Sequence, residues 1–476
     1  LYNRIVKELI FVASEGLPFV KTGGLADVVG ALPKYLNNEY QVSIFLPYYK
    51  CLKHQELLKK VKDFELRHLN NNYQVSIYQA LYEGITYYFL GNEEMFNTET
   101  VYTDNGLYEV ERFIFFDKAL LKALKILSIK ADIIHCHDWQ SALIPTLLKY
   151  GEESFFKETK TILTIHNLRF QGKWNVEQFK EYTGLNSSCF YCEDKGYLDG
   201  NMLGSGIQDC DVLTTVSPTY AQEILTDQYG EGLSDLLKKH QRKLRGILNG
   251  IDIELFNPKG DKLLPYHYDE KTFIAGKRKL KAELQKQLGL PLRHDVLLVG
   301  MVSRITDQKG FGLICDKLKE LMKLDIQLVI LGSGDEYYCN QLRNFNNPAK
   351  FKFKNGYFED LAQLIYGASD VFLMPSTFEP CGLAQLIALR YGSLPLVKAT
   401  GGLKDTIINY DYKSKQGNGF SFENDDLVAS LERAVELYYH HRISWNRLIK
   451  KAMESDFSWL KSAEVYQELY DSLISR

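Results

Sequence analysis

The stretch STFEPCGLAQLIALRYG, residues 376–392, sets the carboxylate of Glu379 directly before Pro380, Cys381, Gly382 and Leu383. Proline suits a first helical turn, and a glycine there leaves the turn uncluttered. The spacing therefore predicts a helix start whose free N–H groups around Cys381, Gly382 and Leu383 point out of the domain. A carboxylate beside such amides can hold hydroxyl groups on one side and an oxyanion on the other. The plain alternative is a helix capped by an ordinary acid. A nucleophilic Cys381 lacks the surrounding pattern of a cysteine protease, so its thiol reads as packing or as a backbone donor.

Two more segments carry cations. In SRITDQKGFG, Arg304 and Lys309 share one loop after the apolar run DVLLVGMV. A planar fork plus a point charge suits a pyrophosphate, though solvated surface cations would look the same. In KTGGLADVVGALP, Lys21 adjoins Gly23 and Gly24, with Asp27 following. Glycines there let backbone approach a ligand, and the next helix adds positive potential, an arrangement that fits phosphate. A tight strand-to-helix turn is the structural alternative. The same pattern, T-G-G-L-x-D, returns at residues 400–405 and brings Thr400, Gly401 and Gly402 to another strand end.

Smaller signals lie in HCHDW (His135, His137, Asp138), TIHNLRFQG (His166) and GILNGID (Asn249). Two alternating histidines and one acid are thin grounds for a metal, and none is expected. The lone C-x-x-C of Cys189 and Cys192 has no second pair, and the eight scattered cysteines fit a reducing compartment. LGSGDE resembles a nucleotide loop but fails G-x-G-x-x-G, since position 337 is Tyr.

These residues need a scaffold. A chain of 476 residues exceeds one core, so two or three domains are expected. Charged residues nearly balance, 57 Lys plus Arg against 60 Asp plus Glu, which argues against a protein devoted to nucleic acid or acidic membranes. No apolar run is long enough to span a bilayer. The opening LYNRIVKELIFVASEG is interrupted by Glu8 and Glu15, so it reads as a first buried strand rather than a secretion signal. ELIFVASE, QVSIFLPYY, ADIIHCHD, TKTILTIHN and DVLTTVS read as buried strands, and after about Gly246 a second series begins with DVLLVGMVS. Strands alternating with helical segments predict an α/β fold of two doubly wound, Rossmann-like lobes. The boundaries read as 1–245, 246–455 and a terminal helix, 456–476, with Trp459, Ala463, Tyr466, Tyr470 and Leu473 on one stripe. Ligands bind beyond the carboxyl ends of such strands, where the motifs above sit.

KTGGLADV, HCHDWQ, TIHNL, TTVSPTYAQEI, GILNGID, SRITDQKG, TFEPCGL, RYGSLPLV and TGGLKDT occur in one order across nearly the whole chain. That ordered set resembles the bacterial glycogen synthases and plant starch synthases, the ADP-glucose-using branch of the two-lobed glycosyltransferases. The resemblance implies a GT-B fold with an interlobe cleft and a last helix returning to the first lobe. It implies transfer of glucose from ADP-glucose to the non-reducing end of an α-1,4-glucan, with retention, in the cytoplasm or the plastid stroma of a plant or alga. On matching positions, Lys21, Arg304 and Lys309 would hold the nucleotide phosphates. His166, Asn249, Glu379 and the amides of Cys381, Gly382 and Leu383 would contact glucose, with Asp138 lining the same pocket. Tyr357 in NGYFED is a candidate for the adenine side, and Thr400, Gly401 and Gly402 would border sugar and phosphates opposite Gly23, Gly24 and Asp27. The expected partners are ADP-glucose and a glucan primer, with no cofactor, nucleic acid or membrane. A UDP-glucose-preferring enzyme and a non-catalytic glucan-binding relative are the alternatives. Two positions depart from the family's habit: Gly204 stands where a lysine is common, and Ala384 where a threonine is common.

Overall fold

The computed structural model describes residues 7–151, 154–193 and 196–475, so the opening residues 1–6 lie outside the described residues. The chain forms two units, Leu1–Asn249 with Trp459–Arg476, and Gly250–Ser458.

In the first unit the strands are β1 (Lys7–Val12), β2 (Tyr40–Pro47), β3 (Lys59–His68), β4 (Asn71–Tyr82), β5 (Ile85–Gly91), β6 (Ile133–His137), β7 (Lys160–Ile165), β8 (Lys173–Trp174), β9 (Gly200–Asn201), β10 (Val212–Thr215) and β11 (Leu244–Gly246). Nine of them make one sheet in the order β11-β10-β7-β6-β1-β2-β5-β4-β3, and β8 pairs with β9 alone. From β11 to β5 all neighbours run parallel. At the far edge β4 and β3 are antiparallel, a departure from the all-parallel reading. The cause is written in β3, KKVKDFELRH, which buries only alternate residues near its end and so tolerates one wet face.

The second unit contains β12 (Leu297–Val302), β13 (Ile326–Gly332), β14 (Phe351–Asn355), β15 (Val371–Met374), β16 (Leu394–Lys398) and β17 (Phe420–Phe422). They form one parallel sheet, β14-β13-β12-β15-β16-β17. Both faces are covered, which is why β13, IQLVILG, is buried at every position and is apolar at all but Gln327.

The unit boundaries fall a few residues later than the sequence reading sets them. β11 extends the first sheet by pairing with β10, and Ile247 N donates to Thr215 O at 2.8 Å, which holds the chain in the first unit through Asn249. Ile251 N donates to Phe457 O at 2.9 Å, which keeps residues 456–458 in the second. The helix Trp459–Ile474 then belongs to the first unit, where Tyr466 and Tyr470 are fully buried. Tyr40 Oη donates to Asp471 Oδ1 at 2.6 Å and Lys7 pairs with the same carboxylate at 2.8 Å. Among the described residues no helix is long and apolar enough to cross a membrane.

In each sheet the strand order reverses beside its first strand, between β1 and β6 and between β12 and β15. The loops leaving those strands carry Lys21, Asp138, Arg304, Lys309 and Glu379, as expected of a doubly wound sheet, while His166, Asn249, Tyr357 and Thr400 follow β7, β11, β14 and β16.

Candidate functional site

After β1 the chain turns into the helix Gly24–Leu36. The sequence leaves the amides at this turn open for an anion. The structure fills them: Glu15 Oε2 accepts from the Thr22 amide, from Thr22 Oγ1 at 2.8 Å and from the Gly23 amide at 3.2 Å. Burial pushes the Glu15 carboxyl up, and the Thr22 and Gly23 donors pull it back. Glu15 is thus a site-building residue that sequence reasoning missed, though its place in an otherwise apolar run was a visible signal. Lys21 stays half exposed beside the loop and pairs with Asp27 at 2.7 Å. Burial raises the Asp27 pKa, and the Lys21 ammonium opposes that shift.

At the ends of β6 and β7, three histidines pack together. The rings of His135 and His137 stack at 4.2 Å, and His137 Nδ1 lies 3.0 Å from His166 Nε2. His135 is committed on both sides, to Tyr470 Oη at 2.8 Å and Thr164 Oγ1 at 2.6 Å. Burial pushes His135 and His166 down to about 3, so the cluster is neutral. Asp138 has φ 57°, a conformation unusual outside glycine, and its Oδ1 accepts from the amides of His166 at 2.7 Å and Asn167 at 3.3 Å. Burial pushes its carboxyl up to about 7 despite those two donors. Asp138 therefore fixes the backbone that carries His166. Among the described residues no three His, Cys, Asp or Glu side chains converge as a metal set. Asn249, at the end of the first unit, is buried, and its Oδ1 has no hydrogen-bond partner among the described residues.

In the second unit a cavity of about 200 Å³ opens between the ends of β12 and β15. Arg304, Lys309, Ser376, Glu379, Leu383 and Ala384 line it. Lys309 Nζ meets Glu379 Oε2 at 2.5 Å, and Ser376 Oγ donates to the same oxygen at 3.0 Å. The two loops are zipped together: Thr377 N donates to Gln308 O at 3.0 Å, and Gly310, at φ 80°, lies where a Cβ would come within 2.1 Å of Pro375 O. The glycines of LGSGDE make room for this loop: a Cβ on Gly332 would lie 1.9 Å from Ser303 O.

The helix after Glu379 begins at Ala384, not at Pro380. Gly382 adopts φ 73° and turns the chain, and Gln385 Nε2 ties the loop by donating to Cys381 O at 3.1 Å and Gly382 O at 2.8 Å. Cys381 is buried, in keeping with packing. Thr400 is buried, and Gly402 N donates to Glu379 O at 3.1 Å. A Cβ on Gly401 would lie 2.1 Å from Glu379 O, and one on Gly402 2.1 Å from Cys381 O. The second T-G-G-L loop therefore braces the Glu379 loop from behind. Tyr357 stands apart from the cavity, beyond β14 at the sheet edge and 69% exposed. Gly204 is covered by Tyr191, whose Cδ1 would lie 2.3 Å from an added Cβ, so a lysine at 204 requires that ring to move.

The family described as "Starch synthase catalytic domain" matches residues 8–239, and "Glycosyl transferases group 1" matches residues 270–455. The chain is 42% identical to the glycogen synthase of Lachnospira eligens, across 98% of this chain and 100% of that one. It is likewise 42% identical to the glycogen synthase of Desulforamulus reducens, across 98% and 99%. Among solved structures, the catalytic domain of Starch Synthase IV from Arabidopsis thaliana, bound to ADP and acarbose, superposes with a TM-score of 0.92 at 34% identity. The match covers 99% of this chain and 100% of that one. Sucrose-phosphate synthase from Thermosynechococcus elongatus, at 16% identity, TM-score 0.63 and 98% and 99% coverage, shares the fold alone.

Proposed function

The chain belongs to the glycogen and starch synthase family of GT-B glucosyltransferases, and on that premise we propose that it extends the non-reducing end of an α-1,4-glucan with glucose from ADP-glucose, retaining the anomeric configuration. The observation that carries the donor reading is the pair of cations, Arg304 and Lys309, sharing one cavity with Glu379 at the strand-order reversal of the second unit. Cations there suit a diphosphate, and a hydrogen-bonded carboxylate suits sugar hydroxyls. A diphosphate would draw Lys309 from Glu379, freeing that carboxylate for the sugar.

Retention by double displacement needs a carboxylate nucleophile opposite a second acid. The cavity offers only Glu379, already engaged by Lys309 and Ser376. Front-face transfer fits better: the C1–O bond to the diphosphate breaks, an oxocarbenium-like sugar forms, and the acceptor hydroxyl enters on the same face. The leaving phosphate takes the acceptor's proton. Arg304 and Lys309 stabilise the charge that develops on the diphosphate, and the amides of Cys381, Gly382 and Leu383 add to it. By the family resemblance, His166, Asp138 and Asn249 of the first unit are its sugar-binding candidates, and Lys21 with Gly23, Gly24 and Asp27 its phosphate-side candidates. Tyr357 would stack on the adenine side, and Thr400, Gly401 and Gly402 support the Glu379 loop. Cationic side chains supply the positive charge, so no metal is required, and full turnover in excess chelator is the expected result. The free cysteines suit a cytoplasmic or stromal setting.

Labelled ADP-glucose and a maltooligosaccharide primer should give labelled polymer, with UDP-glucose a poorer donor. Lys309→Ala should lower kcat by about 10²–10³ while the fold persists. Release of free glucose with no label in polymer, or parent-like turnover in Lys309→Ala, would overturn the reading.

A further inference from the structure

His166 has two ring nitrogens with different surroundings. Nε2 faces inward, 3.0 Å from His137 Nδ1, and the residue is mostly buried but keeps part of its surface open. His137 is fully buried between Phe11, 5.2 Å between ring centroids, and His135, 4.2 Å away. Its own second nitrogen, Nε2, is buried with no hydrogen-bond partner among the described residues. Both rings are held neutral by burial, so one proton lies between His137 Nδ1 and His166 Nε2.

The position of that proton follows from the unpartnered nitrogen. Were His166 the donor through Nε2, His137 would accept at Nδ1 and carry its own proton on Nε2. That N–H would then be buried without an acceptor among the described residues, a rare fault in folded proteins. With the proton on His137 Nδ1 instead, the buried Nε2 is only an unused lone pair, and the one available donor is satisfied. His166 then accepts at Nε2 and carries its proton on Nδ1.

We infer that His137 is a positioning residue that locks His166 into the Nδ1–H tautomer, so that His166 presents a neutral hydrogen-bond donor to an oxygen of the transferred sugar. Three further contacts hold the arrangement: the Asp138 carboxylate fixes the His166 amide at 2.7 Å, and Thr164 and Tyr470 fix the ring of His135 against which His137 stacks. A neutral donor keeps its proton across the neutral range, where an imidazolium would lose it. The sugar-contacting part of the inference rests on the transfer reaction proposed above; the tautomer does not.

The full-length chain, labelled with ¹⁵N in its histidine rings, reports the tautomer directly through ring nitrogen shifts, with His166 assigned by its loss in His166→Gln. The expected spectrum has His166 protonated at Nδ1. His137→Phe keeps a ring but removes the donor; it should release His166 toward the Nε2–H form and lower kcat by about 10-fold or more. His137→Asn can place an amide N–H where Nδ1 was, and should restore both the Nδ1–H signal and most of the lost turnover. An Nε2–H signal for His166 in the parent, or parent-like kcat in His137→Phe, would overturn the inference. If His137→Phe does not fold, the parent and His137→Asn spectra decide it. A parent that yields no labelled polymer yet shows His166 protonated at Nδ1 would refute the transfer reaction and leave the tautomer standing.

Discussion

At residues 22–24 backbone folds around a side chain, and at residues 400–402 backbone lies against backbone. Both carry T-G-G-L-x-D after a parallel strand, and a helix begins within the motif, at Gly24 and at Gly401. In the first, Gly23 has extended dihedrals, φ −146° and ψ −167°, and an added Cβ would meet only Glu15 Oε1, at 3.4 Å. In the second, Gly401 has φ 42° and both glycines approach the carbonyls of the Glu379 loop within 2.1 Å of an added Cβ. The first loop uses its backbone amides, which any residue supplies. The second uses the absence of side chains, which only glycine supplies. A shared motif therefore does not imply a shared physical role.

Substitution separates the two loops most sharply at Gly401. Gly401→Ala combines left-handed backbone with a carbonyl clash and should cost about 3 kcal/mol or more in stability, or displace the Glu379 loop with loss of turnover. Chemical unfolding together with the transfer assay would read either result, and parent-like behaviour in both would remove the contrast. Next comes Glu15→Ala, which strands the Thr22 and Gly23 donors and should cost about 2–3 kcal/mol. A negligible change would mean that water serves these amides as well as the carboxylate does.

pH probes the first unit away from its loop. His135 in the first unit is pushed down to about 3 by burial, against 6.5 unperturbed. As pH falls between those values, the unfolded chain takes a proton that the folded one refuses. Stability then falls by about 1.4 kcal/mol per pH unit for this group. Below about 3 both states hold the proton and the slope ends. His135→Gln should flatten the acid limb of the unfolding midpoint against pH by that amount, and an unchanged slope would show that His135 is not the source. The smallest effect belongs to Gly23→Ala, expected within about 1 kcal/mol of the parent. A loss as large as that of Gly401→Ala would erase the distinction between the loops.

The same contrast explains what sequence reading could reach. Buried parallel strands such as β12 are written as unbroken apolar runs, so the two lobes and the strand ends that hold Arg304, Glu379 and His166 were legible. The antiparallel edge was not, because β3 is mostly charged and one-sided. The helix start slipped from Pro380 to Ala384 because Gly382 turns left-handed, and its letter permits that without announcing it. Glu15 was seen only as an interruption, since a carboxylate facing solvent and one filled by amides share one code. The orphaned Nε2 of His137 depends on atoms from three separated segments, and no spacing rule contains it.

The helix Trp459–Ile474 has a consequence for how the chain is made. It supplies Tyr470 to His135 and Asp471 to Tyr40, residues that leave the ribosome hundreds of positions earlier. The unit begun first is thus completed last, while the second, drawn from one continuous stretch, can finish ahead of it. A nascent chain stalled before Trp459 would hold a whole second unit and an unfinished first one, and a fragment ending at Asn249 would lack its closing piece however long it was given to fold.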